Sequence, residues 1–440
     1  MKAYIETYGC QMNINESDVL RKRLLAEGYT FSKEPGEANL VLLNTCSIRE
    51  HAESKVLSRL GVLRKLKEEN PQMLLGVTGC MAQRLGGEFL AKTPFVDLVI
   101  GSGAYPRFFE ALEAQKRSGK PVVDVGFAKD FQFEDHPEFQ PGSTKTFITI
   151  IRGCDNACHY CIVPFTRGPE RSKPLGQIIR EAEWCVDKGI REITLLGQNV
   201  NHYKDGEFGL GDCLREVARV RGLHRVRYTT SHPGYMTDDV LVAMAEEEKV
   251  MPQLHLPMQS GSSRVLKAMN REYTWERYME LINRGRELMP NLALSTDIIV
   301  GFPGETDEDF RETVHAMEQV RFDSAFMFKF SPRRGTVAAG YEDDVPPKVK
   351  QERLAEIIAL QRRITHEKSQ HFVGQEVEVL IDGPSSRNPD QVVGKTQEFR
   401  NALMPGDPAW KGELVRMQVE SAKGVTLTGK PVEALQPAAH

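Results

Sequence analysis

The stretch Phe147-Ile-Thr-Ile-Ile151-Arg-Gly-Cys154-Asp-Asn-Ala-Cys158-His-Tyr-Cys161 decides how this 440-residue chain is read. Phe147 to Ile151 is a short apolar run rich in β-branched residues, which predicts a strand. Three cysteines follow it within eight residues. Thiolates at that spacing can wrap a cubane iron–sulfur cluster through three of its irons and leave the fourth without a protein ligand. Structural zinc is the first alternative, but it is normally enclosed by four ligands, and His159 lies inside the same loop instead of in a second paired hook. A redox pair of Cys158 and Cys161 leaves Cys154 without a purpose.

Outward from this loop, the chain from Lys145 to about Thr336 alternates candidate strands and helices. Strands are expected at Phe147 to Ile151, Glu192 to Leu196, Arg225 to Thr229, Gln253 to Pro257, Leu292 to Ile299 and Ser324 to Phe330. Helical periodicity falls at Gln177 to Asp187, Cys213 to Val220, Asp238 to Glu247, Glu276 to Leu288 and Glu308 to Gln319. Six β/α units are fewer than the eight of a closed barrel, so the pattern predicts a partial, TIM-like (βα)6 barrel with its site at the strand ends.

The first 125 residues carry a second β/α series and predict a parallel sheet flanked by helices. Its first three strands, Ala3 to Thr7, Leu40 to Asn44 and Leu74 to Thr78, each end in a cysteine: Cys10, Cys46 and Cys80. Helices are expected at Glu16 to Glu27 and Ala52 to Glu69. Further strands are expected at Phe95 to Ile100 and Pro121 to Val125. Ligands of such sheets sit at the carboxyl ends of the strands, where three chain-distant thiols would converge. Cys185 and Cys213 fall within helical patterns and read as core residues.

The fold class is therefore α/β throughout, with a small β-barrel at the end. Residues 1–125 form an N-terminal domain, 126–143 an acidic, Pro-containing linker, 144–345 the barrel, and 346–373 one long connecting helix. From 374 to 436, four short alternating strands (Glu376 to Ile381, Val392 to Lys395, Glu413 to Ser421 and Val425 to Thr428) between Gly- and Pro-containing turns suggest an OB-like barrel.

Composition excludes several classes. Hydrophobic residues at 40% and charged residues at 27% are globular values, not those of a disordered chain. No apolar run approaches the roughly 18 residues of a membrane span, and the first residues lack a secretory pattern. A cytoplasmic protein with reduced thiols is expected. A net charge of −4 gives no general attraction for nucleic acid, and the last domain has seven Lys or Arg against nine Asp or Glu. Phosphate contacts would need a local patch such as Lys395, Arg400 and Lys411, or the basic stretch Arg219 to Arg227. His232 and His255 either line the site or are satisfied structural histidines.

The Cys154, Cys158, Cys161 spacing after the first barrel strand resembles the signature of the radical S-adenosylmethionine (SAM) superfamily. Asp297-Ile-Ile-Val-Gly301 and Leu196-Gly-Gln-Asn199 resemble its adenine- and methionine-contacting segments. Thr7-Tyr-Gly-Cys10-Gln-Met-Asn13, Asn44-Thr-Cys46-Ser-Ile-Arg49, Gly79-Cys80-Met-Ala-Gln83, Ile162-Val-Pro-Phe-Thr-Arg-Gly168, Ser231-His-Pro233, Leu256-Pro-Met-Gln-Ser-Gly-Ser262 and Phe330-Ser-Pro-Arg333 are similar to the methylthiotransferase family. Gln11-Met12-Asn13 resembles its tRNA branch, and Pro169 departs from the family pattern locally.

The resemblance implies two 4Fe-4S clusters. Cys10, Cys46 and Cys80 would hold an auxiliary one that carries the sulfur; Cys154, Cys158 and Cys161 would hold the one that cleaves SAM to a 5′-deoxyadenosyl radical. Tyr160, Gln198, Asn199, Ser231, Asp297 and Gly301 would bind SAM, with no catalytic residue beyond the cluster ligands. The last domain resembles an RNA-binding TRAM domain. The implied partners are tRNA carrying N6-isopentenyladenosine, an electron donor such as flavodoxin or ferredoxin, and a sulfur donor. A monomer is expected. Methylthiolation of a ribosomal protein or of threonylcarbamoyladenosine, and a non-catalytic Fe–S or zinc RNA-binding protein, stay open as alternatives.

Overall fold

The computed structural model describes residues 1–47, 50–128, 131–133, 139 and 142–434. Ile48 and Arg49 of the second cysteine motif, most of the linker's Glu134 to Pro141, and the last residues of the 374–436 segment lie outside the described residues.

The N-terminal region is a six-stranded parallel sheet in the spatial order Thr30–Phe31, Lys2–Thr7, Leu40–Thr45, Leu74–Gly79, Leu98–Gly101, Val122–Asp124. Leu40–Thr45 is buried along its whole length because helices cover both faces. Leu40 and Leu42 pack with Leu20, Leu24, Phe108 and Leu112 on one side. Val41 and Leu43 pack with Val56, Leu60 and Leu63 on the other. The first helix spans Gln11–Ala26 and so starts directly after Cys10, not at Glu16. Its first turns hide their inward face behind polar residues: Asn13, Asn15, Glu16 and Ser17 are all buried. The two-residue strand Thr30–Phe31 is also additional to the sequence expectation.

The second region contains six parallel strands as two three-stranded sheets. Lys145–Thr149, Glu192–Leu196 and Arg225–Thr229 form one; Gln253–His255, Ala293–Val300 and Ser324–Lys329 form the other. Val226 joins them, donating to Lys249 O at 2.7 Å and accepting from Met251 N at 3.0 Å. The sheet is open, because Lys145–Thr149 and Ser324–Lys329 are terminal strands. Its core includes Ile148, Leu195, Val226, Leu254, Ile298 and both Cys185 and Cys213.

The expected strand Phe147 to Ile151 divides in two. The barrel strand ends at Thr149, and Ile151–Arg152 pairs antiparallel with Arg171–Ser172. That pairing closes the base of the cysteine loop, and Cys154 N donates to Gly168 O at 3.2 Å just above it.

Helix Pro347–Gln370 packs Ile357, Leu360 and Ile364 onto the barrel, while Ser369 and Gln370 donate to Gly424 O and Ala422 O of the last region. That region is a closed barrel of Glu376–Pro384, Gln391–Thr396, Asn401–Pro405, Thr426–Ala434 and Leu414–Lys423. Asn401–Pro405 is a fifth strand beyond the four expected, short and ending in proline, with only Ala402 and Met404 turned into the core.

The closed barrel docks on the amino ends of the larger barrel's strands. Arg225 donates to Lys395 O at 2.6 Å and to Glu378 Oε1 at 2.8 Å; Arg227 donates to Thr396 O at 2.9 Å and Gln397 O at 2.8 Å. Arg400 donates to Asp323 at 2.8 Å and Ser369 at 2.6 Å. The expected phosphate patches are corrected in part: Arg225, Arg227 and Arg400 are buried and bind one domain to another, while Arg219, Arg221 and Lys411 stay exposed.

Candidate active site

Cys10, Cys46 and Cys80 follow three neighbouring strands, at the carboxyl edge of one sheet. Gly9, at φ +146°, brings the chain so close that a Cβ there would stand 2.7 Å from Cys46 Cβ. Only glycine fits that approach. Asn13 Nδ2 donates to Asn44 Oδ1 at 2.9 Å and Thr45 O at 3.2 Å, Asn44 Nδ2 returns a bond to Asn13 O at 2.9 Å, and Tyr105 OH reaches Asn44 Oδ1 at 3.2 Å. This buried network fixes the loops carrying Cys10 and Cys46 relative to one another. The Cys10 thiol is drawn down to about 6 by its hydrogen bond with Cys46, against the effect of burial and helped by Arg167. Burial pushes Cys80 up, and Arg167 opposes that shift. Gln83 of the third motif is structural: it donates to Val125 O and accepts from Gly103 N at 3.0 Å.

Cys154, Cys158 and Cys161 line one cavity of about 340 Å³, walled further by Phe165, Pro169 and Val337. Burial pushes Cys154 up to about 11 and Cys161 up to about 12. His159 Nδ1 stands 3.0 Å from Ala268 O and 2.6 Å from Tyr341 OH, so that nitrogen is committed outside the cysteine set. Tyr160 packs against Val265, Met269, Phe302, Phe330 and Ala338. Among the described residues no three His, Cys, Asp or Glu side chains gather as a single metal ion requires. Tetrahedral ligands of one zinc stand roughly 3.8 Å apart, given Zn–S bonds of about 2.3 Å. A cluster distributes its thiolates over separate irons and so takes a wider set.

Beside the cysteine loop, at the carboxyl ends of successive barrel strands, stand three buried polar side chains with unused hydrogen-bonding atoms. Asn199 Oδ1 and Nδ2, Ser231 Oγ and Gln259 Oε1 have no hydrogen-bond partner in the protein. Such groups are rare in a native interior and mark where a polar ligand fits. Gln198 differs, since its Oε1 accepts from Gly153 N at 2.6 Å and holds the start of the cysteine loop. Asp297 Oδ2 lies 3.7 Å from His255 Nε2. Gly301, at φ +70°, admits the Lys350 side chain, whose Cγ would lie 2.4 Å from a Cβ there. His232 is a satisfied structural residue on one side, its Nδ1 accepting from Gly234 N at 3.1 Å.

Sequence reasoning left three side chains unassigned: Gln259, Arg167 and Arg271. The first two sit within motifs already quoted, and Gln259 adopts φ +66°, rare for a residue with a side chain. Arg271 lies outside every motif.

Comparison with known proteins matches the same architecture. Residues 148–317 match the radical SAM superfamily, residues 2–101 the uncharacterized protein family UPF0004, and residues 370–432 the TRAM domain. The tRNA-2-methylthio-N(6)-dimethylallyladenosine synthase of Bacillus subtilis is 44% identical over 99% of this chain and 87% of its own length. The chain belongs to the radical SAM methylthiotransferase family. A second member, from Cereibacter sphaeroides, carries the same name and is 44% identical over 98% of this chain and 99% of its own length. Among solved structures, a radical S-adenosylmethionine methyltransferase from Kitasatospora setae, with cobalamin and a [4Fe-4S] cluster bound, shares the fold at TM-score 0.58. It is 13% identical and covers 88% of this chain and 81% of its own.

Proposed function

We propose that this chain is a tRNA methylthiotransferase that replaces the C2 hydrogen of N6-isopentenyladenosine, beside the anticodon, with a methylthio group. The observation that carries the reading is near-full-length identity of 44% to synthases named for that product. Those names support neither the protein-modifying, the threonylcarbamoyladenosine nor the non-catalytic alternative.

Cys10, Cys46 and Cys80 would hold one 4Fe-4S cluster and Cys154, Cys158 and Cys161 the other. Asn199, Ser231 and Asp297 would contact SAM, with Tyr160, Gln198 and Gly301 shaping its site. When bound, these groups supply the sulfur, the methyl group and the one-electron chemistry that a C2–H bond needs, since that bond is neither usefully acidic nor attached to a leaving group. The chain's own residues bind, orient and exclude water. The cavity beside Cys158 is walled by apolar Phe165 and Val337, and the unpaired atoms of Asn199 and Ser231 offer donors and acceptors to an amino-acid ligand.

The units in this reading are an auxiliary-cluster domain at 1–125, a radical SAM core at 144–345 and a TRAM domain at 374–436, the last serving tRNA. No helix among the described residues is long and apolar enough to cross a membrane. A cytoplasmic monomer using a flavodoxin- or ferredoxin-like reductant and a separate sulfur donor completes the proposal. Anaerobically reconstituted protein should release 5′-deoxyadenosine from SAM, and tRNA from cells lacking the protein should lose its methylthio-isopentenyladenosine by nucleoside mass spectrometry. Unchanged modified nucleoside in those cells would remove the assignment.

A further inference from the structure

A buried charge cluster occupies the seam between the N-terminal sheet and the barrel. Arg167, at the end of helix Val163–Arg167, pairs with Glu16 of the first helix, and Arg152 stands 3.7 Å from the same carboxylate oxygen. Relative exposures of 4%, 8% and 9% for Arg167, Glu16 and Arg152 leave little room for water to screen them. Arg152 also donates to Ser102 O, and Ser102 Oγ donates to Thr166 O, so the seam is tied from both sides. Lys173 and Glu181, which line a small cavity together with Glu16 and Arg152, form a pair of their own.

Two guanidinium groups therefore share one carboxylate. One positive charge is in excess, in a place where an uncompensated charge is costly. Arg167 Nη2 and Glu16 Oε2 have no hydrogen-bond partner. Helix Val163–Arg167 packs on Cys80–Leu85, the helix that opens with Cys80, and Arg167 hydrogen-bonds the Cys80 side chain. The excess positive charge of the seam therefore faces the auxiliary trio.

We propose that Arg167 is a positioning residue that balances the charge of the auxiliary trio and holds it in register with the radical SAM loop. A 4Fe-4S cluster in its 2+ state with three thiolate ligands carries one net negative charge, which matches the excess left by Arg152, Arg167 and Glu16. Helix Val163–Arg167 begins two residues after Cys161, so the guanidinium at its end joins one cysteine set to the other through a few residues of backbone. The proposal rests on the assignment of a cluster to Cys10, Cys46 and Cys80. It adds that this cluster's reduction is governed by Arg167 and Glu16 with opposite signs.

The test uses the full chain with Cys154→Ala, Cys158→Ala and Cys161→Ala, reconstituted with iron and sulfide, so that a single cluster is present. Its potential is read by electron paramagnetic resonance at poised potentials. Arg167→Gln should lower the reduced-to-oxidised ratio at fixed potential at least tenfold, about 59 mV for one electron. Glu16→Gln should raise that ratio, and Arg167→Lys should restore most of the loss seen with glutamine. If Arg167→Gln fails to load iron, Glu16→Gln and Arg167→Lys still decide the sign. A structural role alone gives no opposition of sign, so an unmoved potential in these variants, or shifts in one direction, overturns the proposal. A shifted potential, with methylthio-isopentenyladenosine unchanged in tRNA from cells lacking the protein, would overturn the substrate reading and leave this inference standing. No iron bound in the parent background would overturn both.

Discussion

Arg271 Nη1 donates to Cys158 Sγ at 3.5 Å, while its Nη2 donates to Pro257 O at 3.3 Å beyond the end of strand Gln253–His255. Each cysteine trio thus has one buried guanidinium beside a thiol, Arg167 at Cys80 and Arg271 at Cys158. A charged donor strengthens a bond to an anionic acceptor roughly twofold over a neutral one. Arg271→Gln should reduce 5′-deoxyadenosine formation per bound iron about tenfold or more. It should also lower stability by about 0.5–1.5 kcal/mol through the lost bond to Pro257 O, which still accepts from Tyr273 OH at 3.2 Å. A fall in melting temperature with unchanged SAM cleavage per iron would limit Arg271 to packing.

The six proposed ligands were legible in the sequence because metal-binding thiols need both residue type and spacing, and Cys154, Cys158 and Cys161 supply both locally. Cys10, Cys46 and Cys80 were legible through the β/α periodicity that places each at a strand end. The arginines were not. Arg225 and Arg227 alternate along a strand as exposed cations would, yet both are buried against the last domain. Burial of a charge depends on partners 150 or more residues away, such as Glu378, and local pattern carries no trace of them. The polar first turns of helix Gln11–Ala26 hid its start for the same reason, since Asn13 and Asn15 bond to Asn44 and Phe147.

The docking of the closed barrel should fail first at Arg225. Arg225→Ala removes a fully buried guanidinium from two backbone carbonyls and from Glu378, which is 30% exposed and so partly screened. The expected cost is about 3 kcal/mol, the lower part of the range for breaking a buried pair. Protease should then cut near residues 370–376 at lower enzyme concentration. Because Arg225 is buried, the slope of log tRNA affinity against log salt should stay unchanged; a slope reduced by about one would make it a phosphate contact after all.

Acid should expose His232. Burial, with Arg271 and His202 nearby, pushes its imidazole down to about 3, and Nδ1 accepts from Gly234 N, so the folded ring is neutral. The unfolded ring takes a proton near pH 6.5. Stability from this group is therefore complete above that pH and is lost as pH falls from about 6.5 towards 3, by at most about 1.4 kcal/mol per pH unit. His232→Asn can still accept from Gly234 N and should flatten the dependence of melting temperature on pH between 6 and 4. An identical slope in the variant would mean that His232 is protonated in the folded protein.

The loading of both trios should also depend on pH. Cluster ligands must be thiolates, so each thiol still protonated at the working pH must release its proton on binding. Burial holds Cys154 at about 11 and Cys161 at about 12, so loading the radical SAM trio at pH 7 to 8 expels at least two protons. Cys10, held near 6 by its bond with Cys46, is already ionised there, although burial keeps Cys80 protonated. Resistance to a chelator, corrected for the chelator's own protonation, should rise about a hundredfold per pH unit for a chain keeping only Cys154, Cys158 and Cys161. A chain keeping only Cys10, Cys46 and Cys80 should rise no more steeply, since its protons come from Cys46, the donor to Cys10, and from buried Cys80. A steeper rise for the second chain would refute the thiol environments read from the structure.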